Sequence, residues 1–177
     1  MITTPWFPPL LIFILIVVII VFISKMGPML TGAQYVPTPM DTARRMLKLA
    51  DVQHGETVYD LGSGDGRLLM IAAQEFGAKA IGVEIDPFRY ALTRLKIKWA
   101  KMDDAVSVKR GNLFDVDLRD ADVVMIYLLP KANTKLAPKL LNELKPSVRV
   151  VCHAFPIPNW KMAKVENELM LYRRNEQ

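Results

Sequence analysis

The sequence predicts an α/β protein: a mostly parallel sheet with helices on both faces, closed by an antiparallel hairpin, behind one apolar N-terminal segment. Three observations predict it. From residue 38 onward, short strand-like runs alternate with helix-periodic runs, the pattern of a parallel sheet with crossover helices. A glycine-rich turn, Gly62-Ser-Gly64-Asp-Gly66, joins the first strand to the helix after it. No side chain before Lys25 is charged, and Leu10 to Ile23 is an unbroken apolar run. The 177 residues fit one such domain plus that segment.

The N-terminal segment reads as a transmembrane anchor over residues 1–25. As a helix, Trp6 to Ile23 reaches about 27 Å, close to the hydrocarbon thickness of a bilayer. Pro8 and Pro9 sit in the first turn, where a missing N–H costs little, and Trp6 suits the headgroup interface. A signal peptide is the competing reading. It wants a basic leader, a shorter apolar core and a small-residue cleavage site; here no Lys or Arg precedes the run and Ser-Lys-Met follows it. Basic residues come after the span, at Lys25, Arg44, Arg45 and Lys48. The positive-inside rule then places the N-terminus outside and the domain in the cytoplasm. Residues 26–37, broken by Gly27-Pro28, Gly32 and Pro37, form a linker. Fully extended, it reaches at most about 45 Å, so the domain over 38–177 works near the bilayer.

The elements follow in order. Thr38-Pro39 reads as a helix N-cap and first-turn proline, leading a helix whose apolar face is Met40, Ala43, Met46, Leu47 and Ala50. TVYDLG (57–62) is a strand. Leu68 to Phe76 is a helix stopped by Gly77, and AIGVEI (80–85) a second strand. Asp86-Pro87 caps a helix to about Lys101, with Phe88, Ala91, Leu92, Leu95 and Trp99 expected inward. VSVKRG (106–111) is a third strand and ADVVMIYLL (121–129) holds a fourth. Asn133 to Leu144 carries a helix with Pro138 placed in or near its first turn. RVVCHAF (149–155) is a fifth strand, and Trp160–Glu166 with Leu169–Arg174 closes the sheet as a hairpin around Asn167.

Composition excludes some chemistry. One cysteine, Cys152, rules out a disulfide scaffold, and two histidines, His54 and His153, leave little for a His/Cys metal cluster. A net charge of +5 and a pI near 9.3 fit an anionic partner, nucleic acid or lipid headgroup, without choosing between them.

In such a sheet ligands bind at the C-terminal ends of the strands. There Asp60 precedes the turn Gly62-Ser63-Gly64-Asp65-Gly66, in G-x-G-x-G spacing with Arg67 where a dinucleotide fingerprint has its third glycine. A carboxylate at Asp60 repels a pyrophosphate and welcomes a cationic amino group. S-adenosyl-L-methionine (SAM) carries that amino group, a sulfonium and no phosphate. Glu84, ending the second strand, is placed to accept both ribose hydroxyls. Asn112, after the third, is placed at the adenine edge.

Asp60-Leu-Gly-Ser-Gly-Asp-Gly-Arg67, Gly82-Val-Glu-Ile-Asp-Pro87 and the weaker Gly111-Asn-Leu-Phe-Asp115 together resemble the Rossmann-like, seven-strand SAM-dependent methyltransferases, over about residues 35 to 177. Adding Tyr35-Val-Pro-Thr-Pro39, Tyr127-Leu-Leu-Pro130 and the VCHAF strand behind one membrane span, the chain is similar to a narrower group. These are the membrane-anchored protein-lysine methyltransferases of the ADP/ATP carrier and ATP synthase c subunit, with their prokaryotic relatives. The resemblance implies SAM as cofactor, held by Asp60, Gly62, Ser63, Gly64, Asp65, Gly66, Glu84 and Asn112, with Thr38 as a further contact. It also implies lysine methylation of a membrane-associated protein. Methylation of a lipid or quinone headgroup, or SAM binding without catalysis, are the alternatives, and nucleic acid is disfavoured as acceptor. Arg and Ser are sparse before the span, so no mitochondrial targeting sequence is evident and a prokaryotic plasma membrane is the expected location.

On the acceptor side, Tyr127 stands where many amino-methylating relatives carry an Asp or Asn before two prolines. It is the candidate catalytic side chain, orienting an amine by hydroxyl or ring face, or else a packing tyrosine. The segment from Tyr35 to Pro39 is expected to fold over the crevice as a lid. His153 reads either as a general base or as a hydrogen-bonded structural histidine, and Cys152 as a buried packing thiol. The basic residues Arg89, Arg94, Lys96, Lys98 and Lys101 form either a solvated face or a contact for anionic headgroups.

Overall fold

A computed structural model of the chain describes residues 9–19 and 36–177. It divides into two units, Met1–Tyr35 and Val36–Gln177. In the first, residues 9–19 are helical (α1) and exposed throughout. Among the described residues no helix is long and apolar enough to cross a membrane. The expected span from Trp6 to Ile23 extends beyond the described residues 9–19 at both ends, and most of the expected linker, like Tyr35, also lies outside the described residues.

The second unit runs α2 (Met40–Leu49), β1 (Thr57–Leu61), α3 (Arg67–Phe76), β2 (Lys79–Glu84), α4 (Pro87–Trp99), β3 (Val106–Arg110), β4 (Val123–Ile126), α5 (Pro130–Glu143), β5 (Arg149–His153), β6 (Lys164–Glu166) and β7 (Leu169–Arg173). One seven-stranded sheet is ordered β3-β2-β1-β4-β5-β7-β6. β1 to β5 pair in parallel; β7 runs antiparallel to both β5 and β6. The closing hairpin turns at Asn167, whose φ of 54° is a conformation asparagine tolerates better than most residues.

The central strands are buried on both faces, so alternate side chains feed two cores. Val58, Val123, Met125 and Val151 join α2 and α3 on one side. Tyr59, Leu61, Val124, Ile126 and Val150 join Leu136 and Leu140 of α5 on the other. Cys152 lies in that second core, fully buried, and burial pushes its thiol well above the usual range. Arg149, at the start of β5, locks the α2–β1 connection: its Nη1 donates to the carbonyls of Ala50 (2.7 Å) and Asp51 (2.8 Å), and its Nη2 pairs with Glu56.

Three helix readings are corrected. The N-cap of α2 is Pro39, with no side-chain cap, so Thr38 stands one position outside it. α5 begins at Pro130, and Pro138 lies in its interior. Pro130 is the true first-turn proline, and β4 stops at Ile126 because the chain must turn before it. The face of α4 is reversed. Thr93 and Ile97 are its buried residues, while Phe88, Ala91, Leu92, Leu95 and Trp99 are exposed. The Asp86 cap is as expected, its carboxylate accepting the Arg89 N–H at 2.8 Å.

Candidate active site

Parallel pairing sets Asp60 of β1 opposite Gly82 of β2, so both strands deliver an acidic residue to the same edge of the sheet. Asp60 is buried and its carboxyl is pushed up to about 7, by burial first and then by the negative charges of Glu84 and Asp65.

The glycine turn is strapped to β2. The N–H groups of Gly62 and Ser63 both donate to the Val83 carbonyl, at 2.9 and 3.0 Å. Glu84 accepts the Gly64 N–H at one oxygen and the Asp86 N–H at the other, each at 2.8 Å. Burial raises its carboxyl and those two N–H groups oppose the shift. Each oxygen keeps a second acceptor position, so Glu84 can hold the turn and a ligand hydroxyl together.

Gly66 enters α3 in the left-handed region, with φ of 77°. A Cβ there would come within 2.5 Å of the Thr93 methyl. Buried Thr93 also donates its hydroxyl to the Gly64 carbonyl at 3.1 Å. Only glycine lets the turn lie this close to α4.

Asp65 is engaged by two cations of the chain itself. It makes a two-point pair with Arg67, both contacts at 2.9 Å, and accepts Lys96 at 3.2 Å. Burial works to raise its carboxyl, but these two cations outweigh burial and hold it down to about 2. Arg67 also donates to the Thr38 carbonyl at 3.0 Å, which places the segment before α2 beside the turn, as a lid would require. Asn112, exposed just past β3, accepts the Phe114 N–H at 3.2 Å, and the neighbouring Gly111 N–H donates to the Glu84 carbonyl at 3.0 Å. That bond brings Asn112 to the β2 end of the crevice.

Ile126 pairs with Cys152, so Tyr127 and His153 leave β4 and β5 side by side. Their ring centres are 4.1 Å apart and tilted by 40°. His153 is buried. Its Nε2 lies 3.5 Å from Glu168, and its Nδ1 has no hydrogen-bond partner among the described residues. Burial lowers its pKa, Glu168 opposing and Arg45 adding to the shift, so the ring is neutral near pH 7. Asn133 of α5, also buried, donates its amide to the carbonyls of Phe155 (2.9 Å) and Pro156 (3.2 Å) and fixes the loop after β5.

Thr93 and Asn133, which brace the glycine turn and the loop after β5, and the stacking of Tyr127 on His153 are contacts that sequence reasoning missed. A cavity of about 340 Å³ lined by Met40, Arg44, Asp65, Arg67, Glu75 and Lys96, among others, lies over α3; it takes in Asp65 of the turn and neither Asp60 nor Glu84. The strand-end groups fit SAM. Two carboxylates flank a turn whose backbone a ligand can approach closely, while Arg67 is committed to Asp65 and Thr38 and Arg89, which lies near Glu84, pairs with Asp86. That set suits an ammonium and ribose hydroxyls, not a pyrophosphate.

Comparisons with known proteins agree. A family model described as the ANTKMT methyltransferase domain matches residues 60–164. A protein-lysine N-methyltransferase of Saccharolobus islandicus is 45% identical over 74% of this chain and 82% of its own. The mouse adenine nucleotide translocase lysine N-methyltransferase is 35% identical over 80% of this chain; the match spans 61% of the mouse protein. A crystal structure from Salinibacter ruber, described as an RNA methyltransferase in complex with S-adenosyl-L-homocysteine, is 44% identical. It superposes with a TM-score of 0.74 over 78% of this chain and 92% of its own.

Proposed function

The chain belongs to the ANTKMT methyltransferase domain family, and from that premise we propose that it is a membrane-anchored protein-lysine N-methyltransferase acting on a membrane-associated protein. It is a SAM-dependent methyltransferase, with the seven-strand fold of that class. The observation that carries the lysine reading is the 45% identity to the Saccharolobus protein-lysine N-methyltransferase.

SAM supplies a methyl group on a sulfonium, already a good leaving group, so the protein's task is chiefly to position the acceptor. In this reading Asp60 takes the cofactor's ammonium, Glu84 the ribose hydroxyls and Asn112 the adenine edge. Gly62, Ser63, Gly64 and Gly66 shape the backbone between them, and Asp65 stiffens it through Arg67 and Lys96. A lysine amine, with an ordinary pKa near 10.4, must first lose a proton. Tyr127 orients that amine at the strand end, backed by the neutral His153 ring, and the segment before α2 closes over the crevice. The apolar, wholly exposed α1 stretch supports the anchor, since a helix that is apolar all round belongs in a bilayer or a protein core. The positive-inside pattern supports a cytoplasmic domain at a prokaryotic plasma membrane.

A second reading, RNA methylation, is favoured by the description of the Salinibacter relative. One experiment separates them. Membranes and total RNA from a strain lacking the protein are incubated with purified enzyme and methyl-labelled SAM. The lysine reading expects label in a protein band that survives lipid extraction and nuclease, and methyl-lysine after acid hydrolysis. Label confined to RNA, or to the organic phase, overturns it.

A further inference from the structure

The reversed face of α4 leaves a stripe with no role in the methyl-transfer site. Phe88, Leu92, Leu95 and Trp99 follow i, i+4, i+7 and i+11, so they share one side of the helix. They are 51%, 37%, 43% and 76% exposed. Four large apolar side chains in one exposed row mark an interaction surface, not scattered surface hydrophobics.

The charges around the row indicate its partner. Helix α4 contains no acidic residue. Arg94 and Lys98 border one flank, and Lys101 follows the helix end; all three are exposed. On the other flank Lys96 is tied to Asp65 and Arg89 to Asp86. Arg94 also donates to the Tyr90 hydroxyl at 3.3 Å and has Asp103, from the turn beyond the helix, beside it, so Lys98 and Lys101 are the less engaged cations of this flank. An apolar row of Phe, Leu, Leu and Trp with exposed Lys and Arg along one side is the composition of a helix lying in the headgroup layer of an anionic bilayer. A nucleic-acid surface would centre on stacking aromatics instead of two leucines.

We propose that α4 is a membrane-docking helix: its Phe88–Leu92–Leu95–Trp99 row enters the interface of an anionic bilayer, and Arg94, Lys98 and Lys101 meet lipid phosphates. This deepens the membrane reading above and rests on it for biological context. α4 begins three residues beyond Glu84, so docking it holds the strand-end crevice at headgroup level, where a membrane protein presents its lysines. With the expected N-terminal span it gives two membrane contacts, which fix orientation as one tether does not.

All seven strands and both cores lie within residues 36–177, and the Salinibacter structure shows the same fold in a protein matched over 92% of its length. That fragment, checked by circular dichroism and S-adenosylhomocysteine binding, is therefore the test protein. It is floated with phosphatidylcholine vesicles containing roughly a quarter phosphatidylglycerol, and with pure phosphatidylcholine. The expected result is binding at least about tenfold stronger to the anionic vesicles, weakened by salt. Trp99 emission should move to the blue; the fragment's other tryptophan, Trp160, is already buried. Leu92→Glu/Leu95→Glu and Arg94→Glu/Lys98→Glu should each abolish flotation and leave S-adenosylhomocysteine binding unchanged. Flotation that persists in both variants, or absent flotation of the wild type, overturns the proposal. So does a dimer, or an RNA complex, that Leu92→Glu/Leu95→Glu dissolves in the absence of lipid binding. The fragment lacks the expected anchor and needs no acceptor, so failure here is separate from failure of the anchor, read by carbonate extraction of the full chain, and of the lysine reading.

Discussion

With its carboxyl pushed up to about 7, Asp60 holds a proton in the folded protein over a range where the unfolded chain, near 3.8, has released it. The native state therefore binds more protons between about pH 4 and 7, and stability falls as pH rises through that window. Asp60→Asn removes the buried charge. It should raise the melting temperature of the cofactor-free protein at pH 8 by a few degrees and weaken SAM binding about tenfold or more, since the ammonium loses its charged partner. Calorimetry measures both; a lower melting temperature would contradict the linkage. Glu84 serves the turn and the proposed ribose contact together, so Glu84→Ala should weaken SAM by about 2 kcal/mol and lower stability as well. Tyr127→Phe should reduce kcat and leave SAM affinity within about threefold, because its role is on the acceptor. Asp60, the glycines and Glu84 were legible in the sequence because their spacing places them at adjacent strand ends. Thr93, Asn133 and the Tyr127–His153 stack were not, because each acts across elements that only the folded sheet brings together.

At the scale of elements, the five parallel strands and the closing hairpin were readable from apolar runs and turn residues. Helix starts were displaced where two prolines compete: either Pro130 or Pro138 could begin α5, and local sequence does not choose. The error at α4 has a different origin. Periodicity reveals an apolar stripe but not which side faces the sheet. α4 packs near the sheet edge, burying Thr93 against the glycine turn and Ile97 in the core. Gly66→Ala tests that close approach. It adds a methyl 2.5 Å from Thr93 at positive φ, and should cost about 1–3 kcal/mol and weaken SAM binding. Adding Thr93→Ala should restore part of the stability and not the affinity, because the strained backbone remains; full recovery of both would assign the whole effect to the clash.

For the whole molecule, all seven strands of the sheet lie within the unit Val36–Gln177. Deleting residues 1–35 should leave the melting temperature of the SAM-bound domain within about 2 °C, no more than the shift that a loss of about 1 kcal/mol produces in a domain of this size. Arg149 is where the domain closes on itself, so Arg149→Met, which strands the Ala50 and Asp51 carbonyls and Glu56, should destabilise it by about 2–3 kcal/mol in urea titration. The position of Cys152 has a use of its own. The chain's one sulfhydryl sits in the middle of the sheet with its thiolate suppressed, so an alkylating reagent reaches it only while the sheet is open. Labelling kinetics in native buffer thus become a clock for rare openings of the fold. A cofactor that binds only the closed form slows that clock by the factor 1 + [L]/Kd, about a hundredfold at a concentration of 100 Kd. Mass spectrometry of a single alkylation would then weigh the affinity of SAM, and of every variant above, with no methyl acceptor in hand.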